Sequence, residues 1–536
     1  MKQYLELCKE IIQDGELKTP ARKNMPATIE LFKRDLSFDL REGFPLLTTK
    51  KVNLKNIITE LFWFLNGESD VRFLTKRGCN IWNEDTFKFV KAQYEKESEP
   101  VFKSLGFDVK FPTYEEWIKI GKGEMEWQFT PNAEAPINRY FEGGEVYGRH
   151  WRNFNNLILN DIPVIKDGAD RGFTDLIMNG TDQFLALING ILTNPDSRYH
   201  IVSAWNPTVL EKKMACLPSC HILYQCSISK SRYLDLYIYQ RSCDFPLGVP
   251  YDIASYATLM HIICYLTGYE PGMLHWTGGS CHLYENQITT MREQVERNPK
   301  VLPKLKCELK DVLEPNTEGS ELGLKISRHI NDSTPYTKEE LAEIFVPESW
   351  IIELENYDSY PVINYPFSSG KDRFCNVAAI ITVQNGEEFT YKQNVEEWMV
   401  HNPRMFKNFA KNGVVVTDEN GRALLSSRLG IENCYTLMEG DDPKEFLEEL
   451  RKTQDQVVYL FGNWSLYEKF LKASLVDVIY GTFWCQAYDY SDKKSVNVDW
   501  VMDDFESVWS SNIEENGRKS YQYIWHNKEF IKKYRK

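Results

Sequence analysis

Long apolar runs are missing from this chain. No stretch approaches the roughly 18 to 20 apolar residues that cross a bilayer, and Met1-Lys2-Gln3-Tyr4-Leu5 lacks the apolar centre of a secretory signal. The expectation is a cytoplasmic protein with no membrane partner. A cysteine framework is missing too. The 12 cysteines among 536 residues show no regular C-x-x-C spacing, which argues against a disulfide-stapled or zinc-ribbon design. They read as small buried hydrophobes with one reactive member, and no metal site is expected. Basic excess is also absent. With 63 Lys and Arg against 77 Asp and Glu, the formal charge is -14, the wrong sign for a nonspecific reader of phosphate backbones. No nucleic-acid partner is expected, and there is no internal repeat or low-complexity tract.

What is present is ample core material. The chain is 42% apolar and 13% aromatic, and its length exceeds what one core normally supports, so two domains are expected. The class is mixed α/β (α+β). A mixed-sheet domain spans 1–367, a joint at 368–373 carries Ser368-Ser369-Gly370-Lys371-Asp372, and an α/β domain follows over 374–536, opening on the strand-like Asn376 to Val383. Residues 86–144 form a charged, aromatic-containing insertion. Leu54, Ile57, Ile58, Leu61, Phe62 and Leu65 keep helical spacing, with Asn53 as N-cap and Gly67 past the end, and Glu60 rides beside the stripe. Residues 199–205 and 221–228 read as strands. Tyr233 to Arg241 alternates, so Gln240 and Arg241 face opposite ways. Ala254 to Leu266 reads as a helix ending at Gly268.

Three segments carry chemistry: Leu217-Pro218-Ser219-Cys220-His221, Tyr239-Gln240-Arg241-Ser242-Cys243-Asp244 and Gly248-Val249-Pro250-Tyr251-Asp252-Ile253-Ala254-Ser255-Tyr256. They supply a thiol, a cation able to favour its thiolate, and a carboxyl suited to reading a base. Cys220 alone would read as a core cysteine, His221 as a structural imidazole and Asp252 as a helix cap. The order and spacing of the three segments, followed by Trp276 to Tyr284, resemble the thymidylate synthase family. There a cysteine adds to C6 of a pyrimidine nucleotide so that C5 can attack a folate-borne carbon. Members that use dUMP carry Asn where this chain has Asp252; the carboxyl is the pattern of the deoxycytidylate hydroxymethylases.

The resemblance implies roles residue by residue. Cys220 is the nucleophile, with Arg241, Tyr147 and His221 beside it and Glu60 handling protons. Arg22, Arg198 and Arg241 match phosphate contacts, and Ser242, His282 and Tyr284 match positions holding phosphate or the sugar 3′-hydroxyl. Gln240 and Asp252 face the base. Lys50, Trp82, Asp244, Gly248 and Tyr357 lie toward the cofactor, 5,10-methylenetetrahydrofolate. Arg198 sits where family members reach into a partner's site, which implies a homodimer with shared sites; Tyr199 replaces a second arginine there. Asp85 replaces a second tryptophan, which loosens the wall that excludes water and leaves open whether hydride or water completes the reaction. Residues 374–536 resemble dihydrofolate reductase weakly. Asn463 stands where a second glycine would approach a dinucleotide, and Asn402 lies nearest the expected carboxylate. A packing or regulatory role is therefore expected, with NADPH bound only if that domain is active.

Overall fold

In a computed structural model the structure describes residues 1–20, 23–104, 110–127, 137–166, 169–178, 180–310, 321–366, 375, 377–384, 387–388, 403–419, 421–422, 425, 431, 434–462, 464–485, 503–515 and 518–534. Arg22, Asn402, Asn463 and the expected joint at 368–373 lie outside them. The strands in chain order are β1 (Glu16–Lys18), β2 (Thr28–Asp39), β3 (Leu157–Lys166), β4 (Ala169–Met178), β5 (Ile201–Ser203), β6 (His221–Ser229), β7 (Tyr233–Asp244), β8 (Glu270–Tyr284), β9 (Lys304–Leu309), β10 (Trp350–Glu355), β11 (Val377–Gln384), β12 (Glu387–Glu388), β13 (Val414–Thr417), β14 (Cys434–Thr436), β15 (Val458–Leu460), β16 (Val478–Cys485), β17 (Phe505–Glu515) and β18 (Arg518–Asn527).

A six-stranded sheet runs β1-β2-β8-β7-β6-β5. It is mixed, because β7 and β8 are parallel while their neighbours are antiparallel. A parallel pair needs a crossover, and the helix Gly248–Thr267 supplies it, packing on β7 and β8. Most of that helix is buried, as expected of a helix apolar on nearly every side. Gly268, at φ +77, closes it in a conformation other residues adopt with strain. The helix begins at Gly248, six residues before the expected start, because Pro250 falls in its first turn, where a missing N–H is harmless. Asp252 therefore lies inside the helix rather than capping it.

The helix Leu54–Leu65 forms as expected. Asn53 caps it by accepting from the Asn56 N–H at 3.4 Å, and Gly67 follows at φ +70. Within the expected insertion, Tyr94, Trp117, Tyr140 and Phe141 are buried together, with Trp117 stacked on Phe141 at 4.8 Å. These rings are continuous with the interior of the first sheet and its helices.

The second sheet is eight-stranded, ordered β14-β13-β15-β11-β16-β18-β17 with β12 on β11. It is parallel from β14 to β16 and antiparallel beyond. Alternation along its strands divides the two faces. Val377, Ala379, Val416, Val458 and Leu460 pack with Leu447, Leu450, Leu466 and Phe470 of its own helices. Ala378, Ile380, Val415, Tyr459 and Tyr480 join the core of the first sheet and its helices. No described helix is long and apolar enough to cross a membrane.

Candidate active site

The site forms where the loop before β6, the end of β7, the start of the Gly248–Thr267 helix and the helix Leu54–Leu65 meet. Cys220 ends that loop. Its backbone N–H donates to the Tyr147 hydroxyl at 2.6 Å, and its carbonyl accepts from the Arg241 N–H at 2.8 Å. Arg241 Nε donates to the Ser219 carbonyl at 2.8 Å and its Nη2 to the Pro218 carbonyl at 3.1 Å, with the guanidinium 5.5 Å from the Trp205 ring centre. The cation thus shapes the nucleophile loop. Burial pushes the Cys220 thiol up, Arg241 pulls it down, and Asp252 and Asp244 push it further up. The net direction is upward, so the expected activation by Arg241 is present but outweighed by burial.

His221 is buried and stacks on Tyr147 with ring centres 3.9 Å apart, and its Nδ1 lies 2.8 Å from the Tyr256 hydroxyl. Burial lowers it to about 3. Its Nε2 is 3.7 Å from Asp252 Oδ1. Burial raises Asp252 to about 8, with Glu60 and Asp244 adding to the shift and the Gln240 hydrogen bond opposing it. With the imidazole lowered so far it carries no charge near pH 7, so this contact is not an ion pair. Gln240 Nε2 donates to Asp252 Oδ2 at 2.7 Å and to the Ser242 carbonyl at 3.1 Å, while its Oε1 accepts from Trp276 Nε1 at 2.9 Å. The indole therefore fixes which way the Gln240 amide points.

Glu60 Oε1 accepts from Trp82 Nε1 at 2.5 Å, and burial raises this carboxyl to about 7. Trp82 packs edge-on against Phe64 and Tyr147. On the other side, Lys50 is buried, donates to the Pro246 carbonyl and lies 4.8 Å from the Tyr365 ring centre; burial lowers it to about 8, against the pull of Asp244. Asp244 Oδ1 is buried without a hydrogen-bond partner. Burial raises this carboxyl, with His282 among the groups pulling it back. An acceptor left open in this way fits the N–H groups of a pterin ring. A Cβ on Gly248 would lie 3.7 Å from Asp252 Oδ2 and 3.8 Å from the Asp244 side chain, so this turn keeps both carboxyls close. Tyr357 accepts from the Val52 N–H at 3.1 Å and donates to the Leu47 carbonyl at 2.8 Å, docking the segment after β10 against the Lys50 loop.

Ser242 and His282 lie at the ends of the adjacent strands β7 and β8, where Ser242 pairs with Ser280 and Asp244 with His282. Tyr284 follows His282 and caps the helix Glu285–Val295, its ring 5.4 Å from the His282 ring. Arg198 stands apart, exposed between the helix Gln183–Thr193 and β5. Three positioning residues were missed in the sequence. Trp276 orients Gln240, Tyr256 holds His221, and Phe64 packs on both Tyr147 and His221. Each stood inside a quoted motif or the apolar helix without an assigned partner.

A family model for thymidylate synthase matches residues 2–369. The chain belongs to the thymidylate synthase family. Among the relatives of this thymidylate synthase family member, the thymidylate synthase of Mesoplasma florum is 38% identical over 306 residues, covering 57% of this chain and 89% of the relative. That of Listeria monocytogenes serotype 4a is 39% identical over 308 residues, covering 57% and 89%. That of Mycoplasma mobile is 36% identical over 305 residues, covering 57% and 88%. Membership makes the protein a transferase whose cofactor is 5,10-methylenetetrahydrofolate, in keeping with the open acceptor on Asp244.

Proposed function

We propose that this enzyme transfers one carbon from 5,10-methylenetetrahydrofolate to C5 of dCMP, and that water completes the reaction to give 5-hydroxymethyl-dCMP. The observation that carries this reading is Asp252, a half-buried carboxyl clamped by Gln240 beside the loop of Cys220. Its neutral form donates one proton to cytosine N3, while the other oxygen accepts from the exocyclic amine. The proton is shared between the two groups, which titrate as a unit. Cys220 adds to C6 as its thiolate, the form that Arg241 favours against the burial that raises the thiol. Glu60, near neutrality, holds and gives up protons on the C5 side. Arg22, Arg198 and Arg241 bind phosphate, and Ser242, His282 and Tyr284 bind phosphate or the sugar hydroxyl. Lys50, Trp82, Asp244, Gly248 and Tyr357 line the folate side. The folate supplies the carbon, and a hydride as well if the product is a methyl group. Asp85, partly buried on the helix that follows Trp82, favours entry of water.

A second reading, dUMP to dTMP, is favoured by the same protonation state: a neutral carboxyl presents a donor and an acceptor, as an asparagine amide does, and can also satisfy uracil O4 and N3–H. The two readings part above about pH 8, where an ionised carboxyl opposes O4. Incubation with methylenetetrahydrofolate and either nucleotide, followed by the product mass, tests both. A hydroxymethyl gain on dCMP is expected. A methyl gain on dUMP alone would establish the second reading, and no gain on either would leave a silent nucleotide- and folate-binding scaffold.

We also propose a homodimer, with the outer face of the first sheet as its interface. Tyr237 is 37% exposed between the buried Leu236 and Ile238, and Phe32 on β2 and Tyr199 before β5 are 74% and 91% exposed. The C-terminal domain is assigned a packing role. A cavity of about 190 Å³ near the carboxyl ends of β13 and β14 is lined, among the described residues, by Asp418, Glu419 and Glu439 against one cation, Lys469, which donates to the Met438 and Glu439 carbonyls. Such a lining opposes the phosphates of NADPH.

A further inference from the structure

The segment that follows β10 runs along the loop at 47–50 and is fastened beside it by three tyrosines. Tyr357 holds the first end through Val52 and Leu47. The Tyr360 N–H donates to the Thr48 carbonyl at 2.8 Å, and its ring centre lies 5.2 Å from the Arg297 guanidinium and 5.0 Å from the Lys300 ammonium. Tyr365 holds the far end. It is buried, and its hydroxyl donates to Gln294 Oε1 at 2.6 Å and lies 3.7 Å from Met291 Sδ. Gln294, itself buried, uses its Nε2 to donate to Thr49 Oγ1 at 3.1 Å, so one amide ties Tyr365 to the residue before Lys50. The Lys50 ammonium has three N–H groups but donates to one carbonyl, that of Pro246, among the described residues. Burial works against its charge, and Asp244 and Cys8 favour it. The face of the Tyr365 ring, 4.8 Å from Nζ, favours it too, and such a contact gains strength where water is excluded.

We infer that Tyr365 is a positioning residue for Lys50: its ring holds the buried ammonium in place on the folate side, and Gln294 holds the ring. This rests on the assignment of Lys50 to the folate. The hydroxyl sets where the ring stands, and the ring face supplies the attraction. Gln294 and Met291 belong to the helix Glu285–Val295, whose first residue follows Tyr284, so a change in that helix would disturb both ligands. Substitutions of Tyr365 leave the helix sequence intact. The partners of Tyr365 named above, Gln294, Met291 and Lys50, include no residue assigned to the nucleotide. Loss of the ring should therefore weaken folate binding through Lys50 and leave nucleotide binding as it was.

The test is a double-mutant cycle in the full chain, with Tyr365→Leu, Lys50→Met and the pair, and with Tyr365→Phe as the variant that keeps a ring. Tetrahydrofolate affinity is measured by equilibrium dialysis, and dCMP and dUMP affinities in the same way. Tyr365→Leu should lower tetrahydrofolate affinity about tenfold and Tyr365→Phe about threefold, with nucleotide affinity within about twofold of wild type. In the Lys50→Met background the effect of Tyr365→Leu should shrink to less than about twofold. An effect of full size without Lys50, an equal loss of nucleotide affinity, no loss in Tyr365→Leu, or a loss in Tyr365→Phe as large as that in Tyr365→Leu overturns the inference while the assignment of Lys50 stands. If Lys50→Met alone leaves tetrahydrofolate affinity unchanged, that assignment falls and the inference falls with it. Should Tyr365→Leu fail to fold, Tyr365→Phe takes its place in the cycle: its threefold loss should vanish without Lys50, and a loss that is absent or that persists overturns the inference.

Discussion

Replacing Asp252 with asparagine is the sharpest perturbation of base choice, because the surroundings dictate how the new amide must sit. Trp276 Nε1 donates to Gln240 Oε1, so Gln240 presents its Nε2 to residue 252 at 2.7 Å. An asparagine must answer that donor with its carbonyl oxygen, which turns its NH2 toward the base. There it meets uracil O4 as donor to acceptor, and the cytosine amine as donor to donor. A buried polar group left unpaired costs about 1–3 kcal/mol, so with about 2 kcal/mol on each nucleotide the preference ratio should move about a thousandfold toward dUMP. That figure applies at about pH 9, where the wild-type carboxyl is ionised; at about pH 6 the neutral carboxyl already serves uracil, and the swing should shrink to about thirtyfold. The assay is kcat/KM for C5-tritiated dCMP and dUMP, read as tritium release at both pH values, with thermal unfolding to confirm the fold. A ratio unmoved at both pH values would show that residue 252 does not face the base.

Three further outcomes follow from the same geometry. Glu60→Gln keeps an acceptor for Trp82 but removes the titrating proton, so kcat should fall about 10²- to 10⁴-fold with nucleotide KM little changed, as stopped-flow or steady-state kinetics would show. The folded-state carboxyls of Asp252 and Glu60 are raised to about 8 and about 7, so the folded state holds protons that the unfolded chain releases. Their contribution is complete below their ordinary values near 3.8 and 4.5 and is lost as pH rises through 7 and 8. Urea denaturation of the ligand-free enzyme should show this decline, flattened in Asp252→Asn with Glu60→Gln. If sites are shared between subunits, mixing inactive Cys220→Ser with inactive Arg198→Ala should restore activity in about a quarter of sites; no recovery after exchange would remove Arg198 from the partner's site.

The nucleophile, its cation and the base-reading carboxyl were legible because they lie in short segments whose spacing the strands preserve. Cys220 and Arg241 stand on either side of the β6–β7 ladder, and the alternation of β7 sends Gln240 inward. The helix start was misplaced because Pro250 reads as a breaker unless its first-turn position is known. The neutral state of Asp252 was not legible at all. It arises from burial, with Glu60 and Asp244 of other elements adding to it against the Gln240 hydrogen bond, and an isolated carboxyl in a sequence reads as charged. The Trp276–Gln240 contact escaped for the same reason: only the β7–β8 pairing brings the two together.

Because Ile380, Tyr459 and Tyr480 lie in the same continuous interior as the helices around the first sheet, the last third of the molecule is not a detachable module. Cutting the chain after the family-matching region would strip the wall from a shared interior and leave greasy surface facing water. That shared interior gives the portion a packing role that needs no second activity to explain it.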